Sequence, residues 1–283
     1  MATDATMPTT VAPKPKNRMT HPYTYIDPNA WIAPNVKIDP FTVIHGDVQI
    51  GEGTWIGSNV TIMDGTRIGK NCRVFPGAVL GAIPQDLKFN GEKTTVVIGD
   101  NTTIREFVTI NRGTEDRGKT KVGNNCLIMA YSHIAHDCLI GNNCVLSNNA
   151  TLAGHVTVDD WAWIAGVSAV HQFVHIGQHA YIAGGSLVSK DVPPYIKAVR
   201  NPLSYGGVNS VGLKRRGFEL ERINCIHDIY RIIFNKGLNT TQALEFIEEE
   251  LPASDERDEI VTFIRESVRG IIKRSTKGSS EEE

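Results

Sequence analysis

Residues 121–158 read KVGNNCLIMAYSHIAHDCLIGNNCVLSNNATLAGHVTV, and an aliphatic side chain returns at every sixth position: Val122, Ile128, Ile134, Ile140, Leu146, Leu152 and Val158. Neither the 3.6-residue period of a helix nor the alternation of a long strand yields a spacing of six. Two residues before these aliphatics stand small side chains, among them Cys126, Cys138, Cys144 and Ala150. Positions two apart on a strand share a face, so each hexad offers one inward pair and then turns. The phase runs upstream from Ile26 through Ile32, Ile38, Ile44, Ile50, Ile56, Ile62, Ile68 and Val74 to Leu80, resumes at Ile98, Ile104 and Ile110, and continues downstream through Ile164 to Val188. Hexapeptide repeats predict a parallel β-helix. With three hexads to a triangular coil and coils stacked ~4.8 Å apart, Ile26 to Val188 supplies about nine coils.

Composition agrees with a thin, repetitive core. Of 283 residues, 41% are hydrophobic, only 7% are aromatic, and 26 are glycine. Lys and Arg total 29 against 31 Asp and Glu, so the chain as a whole carries no positive excess that points to nucleic acid. No apolar run approaches the ~18 residues of a membrane span, and no apolar signal core opens the chain. These features predict a soluble, cytoplasmic protein.

The period lapses at 81–97 (GAIPQDLKFNGEKTTVV) and at 111–121 (NRGTEDRGKTK), both polar and charged. These are expected to be loops leaving the prism, where binding residues tend to sit. Residues 1–22 are expected to be a disordered tail, 23–191 the β-helix, 192–275 a helical domain and 276–283 a second tail. Helical spacing appears at Leu220, Ile223, His227, Tyr230 and Phe234, then over Thr241–Leu251, then over Ser254–Arg269 with Ser254 as N-cap. Such a domain would cover the open end of the prism and its unpaired strand edges.

Cys72, Cys126, Cys138 and Cys144 occupy the small inward position of their hexads, which makes them core fillers rather than metal ligands or disulfides. The histidines differ: His133, His136, His155, His171, His175 and His179 avoid both inward positions. Counted modulo 18, His133, His171, His136 and His155 fall at 7, 9, 10 and 11, along one edge of the prism. Imidazole accepts a proton near neutral pH, so the stripe suits acid–base work. It equally suits a metal.

The hexad pattern resembles the left-handed hexapeptide β-helix of many acyltransferases, and handedness is taken from that resemblance. A closer likeness lies in Gln85-Asp86-Leu87-Lys88, His133-Ile134-Ala135-His136-Asp137-Cys138, Asn148 to Val156, Ala169-Val170-His171-Gln172-Phe173, Asp191-Val192-Pro193-Pro194-Tyr195 and Gly212 to Phe218. Together these resemble the UDP-N-acetylglucosamine 3-O-acyltransferases that open lipid A biosynthesis, from about Tyr25 to Ile272. The resemblance implies transfer of an (R)-3-hydroxyacyl group from acyl carrier protein to the sugar 3-hydroxyl. It implies a homotrimer with sites between subunits, and no cofactor beyond the phosphopantetheine arriving on the carrier.

By the same resemblance His136 is the general base, Asp137 orients it, and the Gly154 N–H receives the oxyanion. Gln85, Asp86, Lys88 and His133 are expected at the acceptor sugar, His155 and His171 at acceptor and pantetheine, and Gln172, Asn209, Arg215 and Arg216 at the nucleotide. Gly184 matches the family's acyl-chain ruler, where a missing side chain leaves room for a long chain. Where the family places an acid two residues after Asn209, this chain has Val211. From Lys197 to Arg231 seven basic residues face three acids, a patch suited to steering an acidic carrier.

Two other readings stand beside this one. The histidine stripe is compatible with a zinc-dependent hydratase of the γ-carbonic anhydrase type, whose three-histidine site is shared between subunits. A non-catalytic scaffold is the other, since a regular β-helix presents flat binding surfaces. The related N-acyltransferase of the same pathway carries an additional N-terminal uridine-binding domain, for which the repeat beginning at Ile26 leaves no room.

Overall fold

A computed structural model describes residues 19–274. The expected tails therefore lie outside the described residues, except for 19–22. Each coil gives one short strand to each of three parallel sheets in turn. Leu127–Ile128 joins sheet A, His133–Ile134 sheet B and Leu139–Ile140 sheet C, with 11, 9 and 8 strands respectively. The result is a left-handed parallel β-helix followed by four helices.

The hexad rule accounts for the core. Ile44, Ile56, Ile62, Leu80, Ile104, Ile128, Ile134 and Ile164 are fully buried, as are the small residues two before them. The four inward cysteines are buried and unpaired, but they do more than fill space. The thiols of Cys72, Cys126, Cys138 and Cys144 donate to carbonyls of the next coil at 3.0 to 3.2 Å, as the Thr42, Thr54 and Thr102 hydroxyls do at 2.8 to 2.9 Å. Burial pushes the Cys72 thiol up to about 11 and Cys138 to about 12, so these two sulfurs stay protonated donors.

Turning three times per coil needs residues that tolerate positive φ, and Asn59, Asn71, Asn101, Asn125, Asn143 and Asn149 hold φ of 53 to 60°. One corner is further laced by side chains. The Lys70 N–H donates to Asp100, Asp100 to Asn124, Asn124 to Asn142 and Asn142 to Asp160, each at 2.7 to 2.9 Å.

Strand pairing extends beyond the expected limits at both ends. Met19–Thr20 pairs with Lys37–Ile38, inside the stretch read as tail. Ile196–Val199 still continues sheet A, inside the stretch read as helical, before the antiparallel strand Ser204–Val208 closes that edge. The excursions are also shorter than expected. Sheet-A partners stand 18 apart in regular coils but 30 apart at Arg73/Thr103 and 24 apart at Thr103/Leu127. Strands Val79–Ala82, Thr95–Ile98, Thr109–Asn111 and Lys119–Val122 reclaim the flanks, leaving 83–94 and 112–118 outside the sheets. The flanks remain extended because their backbone groups are satisfied by neighbouring coils.

The helices are α1 (Ser210–Arg215), α2 (Leu220–Asn235), α3 (Thr240–Glu250) and α4 (Asp255–Glu266). Ser254 caps α4 as expected, accepting from the Arg257 N–H at 3.1 Å. The buried stripe of α2 runs through Ile223, Ile226, Ile229 and Tyr230; His227, placed on it by spacing, is exposed. Docking on the last coil is polar as well as apolar. The Tyr230 hydroxyl donates to the Pro194 carbonyl at 2.6 Å, and Glu259 of α4 receives Tyr195 and Gln178. Among the described residues no helix is long and apolar enough to cross a membrane.

Candidate active site

Between sheets B and C the corner residues Asp137, His155 and Phe173 stand one above another at successive coils, all with φ near 60°. His155 stacks on Phe173 with ring centres 4.5 Å apart, and meets the His136 ring edge-on at 5.1 Å. His136 Nδ1 lies 2.8 Å from the Asp137 carboxylate. That carboxylate is fully buried, and the protein surrounds it with donors. The Thr114 N–H and hydroxyl donate to it at 3.0 and 2.6 Å, with the Arg117 N–H at 3.3 Å.

Burial alone would raise the Asp137 carboxyl; the hydrogen bonds from Thr114 and His136 outweigh it and hold the group below the ordinary carboxylate range. An ionised Asp137 can only accept, so Nδ1 of His136 donates to it and Nε2 is left with a free lone pair. Nε2 faces Gly154. A Cβ built on Gly154 would lie 2.6 to 2.7 Å from the His136 ring, so glycine is required for this approach. No backbone carbonyl accepts the Gly154 N–H among the described residues.

Above this dyad lies a cavity of about 340 Å³. One wall is the 83–94 loop through Asp86, Lys88, Phe89 and Glu92, another the 112–118 loop through Thr114, Glu115 and Asp116, and the floor is His155 and Phe173. Burial lowers the proton affinity of His155 and, with the neighbouring His136, that of His133. Both rings are therefore neutral hydrogen-bonding groups at neutral pH. A larger cavity, about 580 Å³, lies along sheet C and α4 and contains none of the candidate residues. Chemistry favours the smaller one, because its lining residues His155 and Thr114 touch the dyad directly.

Not every expected residue meets here. His133, on the strand below His136, is tied to the Thr109 hydroxyl at 2.7 Å. His171 and Gln172 are exposed one coil beyond His155, with His171 Nδ1 3.1 Å from the Gln172 carbonyl. Gln85 is exposed on the first loop. Gly184 sits at the corner between sheets A and B, Asn209, Arg215 and Arg216 at the corner between C and A, and neither group joins His136 within one chain. Asn209 caps α1, its amide accepting from Gly212 and donating to the His179 carbonyl. Arg216 lies over Trp161 and donates to His179 at 3.0 Å, while Arg215 and Val211 are exposed. His179, read as outward-facing, does leave the prism core but is buried beneath α1 and Phe218.

Residues that the sequence reading missed are Thr114 and Arg117, which hold Asp137. They lie in an aperiodic loop, where spacing carries no signal. His136, Asp137 and His155 each present a ligand atom within 4.8 Å of the others. As a cation cage the set is poor, because both Asp137 oxygens already accept, Oδ2 from the Thr114 hydroxyl and His136 and Oδ1 from the Thr114 and Arg117 N–H groups.

Comparisons with known proteins give the family. Residues 191–272 match the family model described as UDP-N-acetylglucosamine O-acyltransferase, domain 2, and residues 47–82 and 119–154 match bacterial transferase hexapeptide repeats. An acyl-(acyl-carrier-protein)-UDP-N-acetylglucosamine O-acyltransferase of Xylella fastidiosa is 48% identical over 255 residues, covering 89% of this chain and 97% of that protein. The counterpart from a Janthinobacterium strain is 47% identical over 201 residues, covering 69% and 77%. The crystal structure of a UDP-N-acetylglucosamine acyltransferase from Bacteroides fragilis superposes with a TM-score of 0.89 at 52% identity, over 90% of this chain and all of that one. An Arabidopsis UDP-N-acetylglucosamine acyltransferase superposes at 0.79 with 36% identity, over 89% and 99%. Nothing in these comparisons supports a carbonic anhydrase. From the repeat, the buried dyad and these relatives together, the chain belongs to the UDP-N-acetylglucosamine O-acyltransferase family.

Proposed function

We propose that the chain transfers an (R)-3-hydroxyacyl group from acyl carrier protein to the 3-hydroxyl of UDP-N-acetylglucosamine, the first step of lipid A biosynthesis, in the cytoplasm and without a resident cofactor. The observation that carries the mechanism is the His136–Asp137 dyad packed against Gly154, whose N–H no backbone carbonyl accepts among the described residues. The sugar hydroxyl attacks the thioester carbonyl while His136 Nε2 takes its proton, a contribution of about 10²–10⁴-fold. Asp137 holds the imidazole in the required tautomer and stabilises the imidazolium that forms. The Gly154 N–H donates to the oxyanion. As the intermediate collapses, the imidazolium returns the proton to the departing pantetheine sulfur.

Asp86, Lys88 and Gln85 hold the acceptor sugar with His133, while His155, His171 and Gln172 contact acceptor, pantetheine and nucleotide. Asn209, Arg215 and Arg216 serve the nucleotide, and Gly184 leaves the acyl groove open. These groups occupy three corners of one prism, which supports a homotrimer in which corners of neighbouring subunits meet. Phe41, Phe107, Tyr131 and Val167, more than half exposed along the A–B corner, support the same assembly. Of the basic patch, Arg222 pairs with Glu256 and Arg231 with Asp228, while Lys197, Arg200, Lys214 and Arg215 make no ion pair among the described residues and are available to an acidic carrier.

The test is acyl transfer from (R)-3-hydroxyacyl carrier protein to UDP-N-acetylglucosamine in the presence of a chelator. Turnover that persists with chelator and disappears in His136→Ala supports the reading. Full activity in His136→Ala, or loss on chelation alone, refutes it.

A further inference from the structure

Four consecutive residues, Asn111 to Thr114, touch both ends and the centre of the 83–94 loop and the Asp137 carboxylate. Asn111 is 3% exposed and its amide donates to the Ile83 carbonyl at 2.6 Å, at the root of the 83–94 loop. The Arg112 N–H donates to Ala82 at 2.9 Å, and its guanidinium lies over the Phe89 ring at 5.4 Å, in the middle of that loop. The Gly113 N–H reaches the Thr95 carbonyl at 3.3 Å, where the loop re-enters its sheet. A Cβ on Gly113 would lie 2.4 Å from the Lys119 backbone nitrogen, so only glycine lets the two legs of the 112–118 loop pass this closely. Thr114 then supplies two donors to Asp137.

The segment thus grips the first loop at both roots and at its centre while holding the carboxylate behind His136. Phe89 follows Asp86 and Lys88 by one turn of chain, in which the Asp86 carboxylate accepts the Lys88 N–H at 3.0 Å and the Asp86 carbonyl the Phe89 N–H at 3.1 Å. Moving Phe89 therefore moves the expected sugar ligands. Phe89 and Thr114 also line the same cavity.

We propose that Asn111-Arg112-Gly113-Thr114 is a strut joining acceptor binding to base positioning, in which Arg112 positions the loop bearing Asp86 and Lys88, and Thr114 positions Asp137 and through it His136. The proposal rests on the acyl-transfer reading and adds a division of labour between neighbouring residues. A residue that merely supports the fold would alter kcat and KM together. Here the two ends of the strut act on different constants.

Steady-state kinetics on the full chain, with (R)-3-hydroxyacyl carrier protein and UDP-N-acetylglucosamine, separates them. Thr114→Val is expected to lower kcat about 30-fold with the acceptor KM within about 2-fold, and Thr114→Ser to restore kcat to within about 3-fold, because only the hydroxyl donor is at stake. Arg112→Lys keeps the charge but loses the planar face, and is expected to raise the acceptor KM about 10-fold with kcat within about 3-fold. The strut is overturned if Thr114→Ser is as slow as Thr114→Val, if Arg112→Lys keeps the wild-type KM, or if both constants move in step in both variants. Should Thr114→Val fail to fold, the Thr114→Ser and Arg112→Lys arms decide the matter by the same criteria. A wild-type chain that binds UDP-N-acetylglucosamine calorimetrically yet transfers nothing contradicts the reaction instead, and the Arg112→Lys arm is then read in the binding constant.

Discussion

Two histidine–aspartate pairs lie on this prism with the same 2.8 Å separation, His136–Asp137 and His175–Asp159. They differ in everything around that distance. Asp137 is fully buried and saturated by Thr114, whereas the Asp159 side chain is 35% exposed. His136 uses Nδ1 on its partner and turns Nε2 to the glycine. His175 uses Nε2 on its partner and lays its ring 4.5 Å from Phe263 of α4, while Asp191 holds its backbone N–H. The first imidazole has a nitrogen left free beside Gly154; the second is a clamp between prism and helical domain. A short contact between these residue types does not make a base. The fixed tautomer and the open nitrogen do.

The same substitution at both pairs breaks the comparison most sharply. His136→Ala should lower kcat by about 10³-fold or more, while His175→Ala should leave it within about 2-fold and lower the thermal midpoint by a few degrees. Equal losses in a carrier-protein transfer assay would end the distinction. Next in size are the acids. Asp137→Asn keeps the shape but turns an acceptor toward donors, and should cost about 10²-fold in kcat; Asp159→Asn should cost less than about 2-fold. Gly154→Ala follows, at about 10-fold or more, because its methyl would overlap the His136 ring. A Gly154→Ala enzyme with wild-type kcat would show that the imidazole is not confined as described.

How much of this was legible beforehand depends on whether a residue belongs to the repeat. Ile128, Ile134 and Cys138 could be placed from spacing alone, because a strict period of six leaves one way to bury them. His136 and His155 could be assigned to one edge by the same counting. The count could not say that His171 stays exposed or that His179 is covered, because α1 and Phe218 lie outside the repeat and cover by tertiary packing. α1 itself is too short for a helical period to be seen. Asn111 to Thr114 fall in the lapse of the period at 111–121, which marks the loop but not the role of any one residue, since those roles are hydrogen bonds whose path no periodicity describes. Only resemblance assigns Asn209 to a ligand, and in the chain its amide is engaged in capping a helix.

The smallest effect concerns two histidines at different corners of the prism, His155 between sheets B and C and His179 between sheets C and A. Both take positive φ and stack on aromatic rings, His155 on Phe173 and His179 between Trp161 and Tyr195. Burial lowers the proton affinity of His155, and Asp137 and Asp116 oppose it. His179 is pushed down to about 4, first by burial and then by the adjacent Arg216, with Asp160 opposing. The folded state therefore binds fewer protons than the unfolded one below the ordinary histidine value of 6.5. Its contribution to stability is unchanged above that value and declines as the pH falls toward 4. Allowing for partial water access, the decline from pH 7 to pH 5 is about 1 kcal/mol. His179→Phe retains a ring between Trp161 and Tyr195 and removes the proton site. Urea denaturation at the two pH values should show a shallower decline in His179→Phe than in wild type by that amount. Parallel declines would mean that the covered corner holds its histidine no more tightly neutral than water does, and the contrast between the two corners would then rest on the cavity alone.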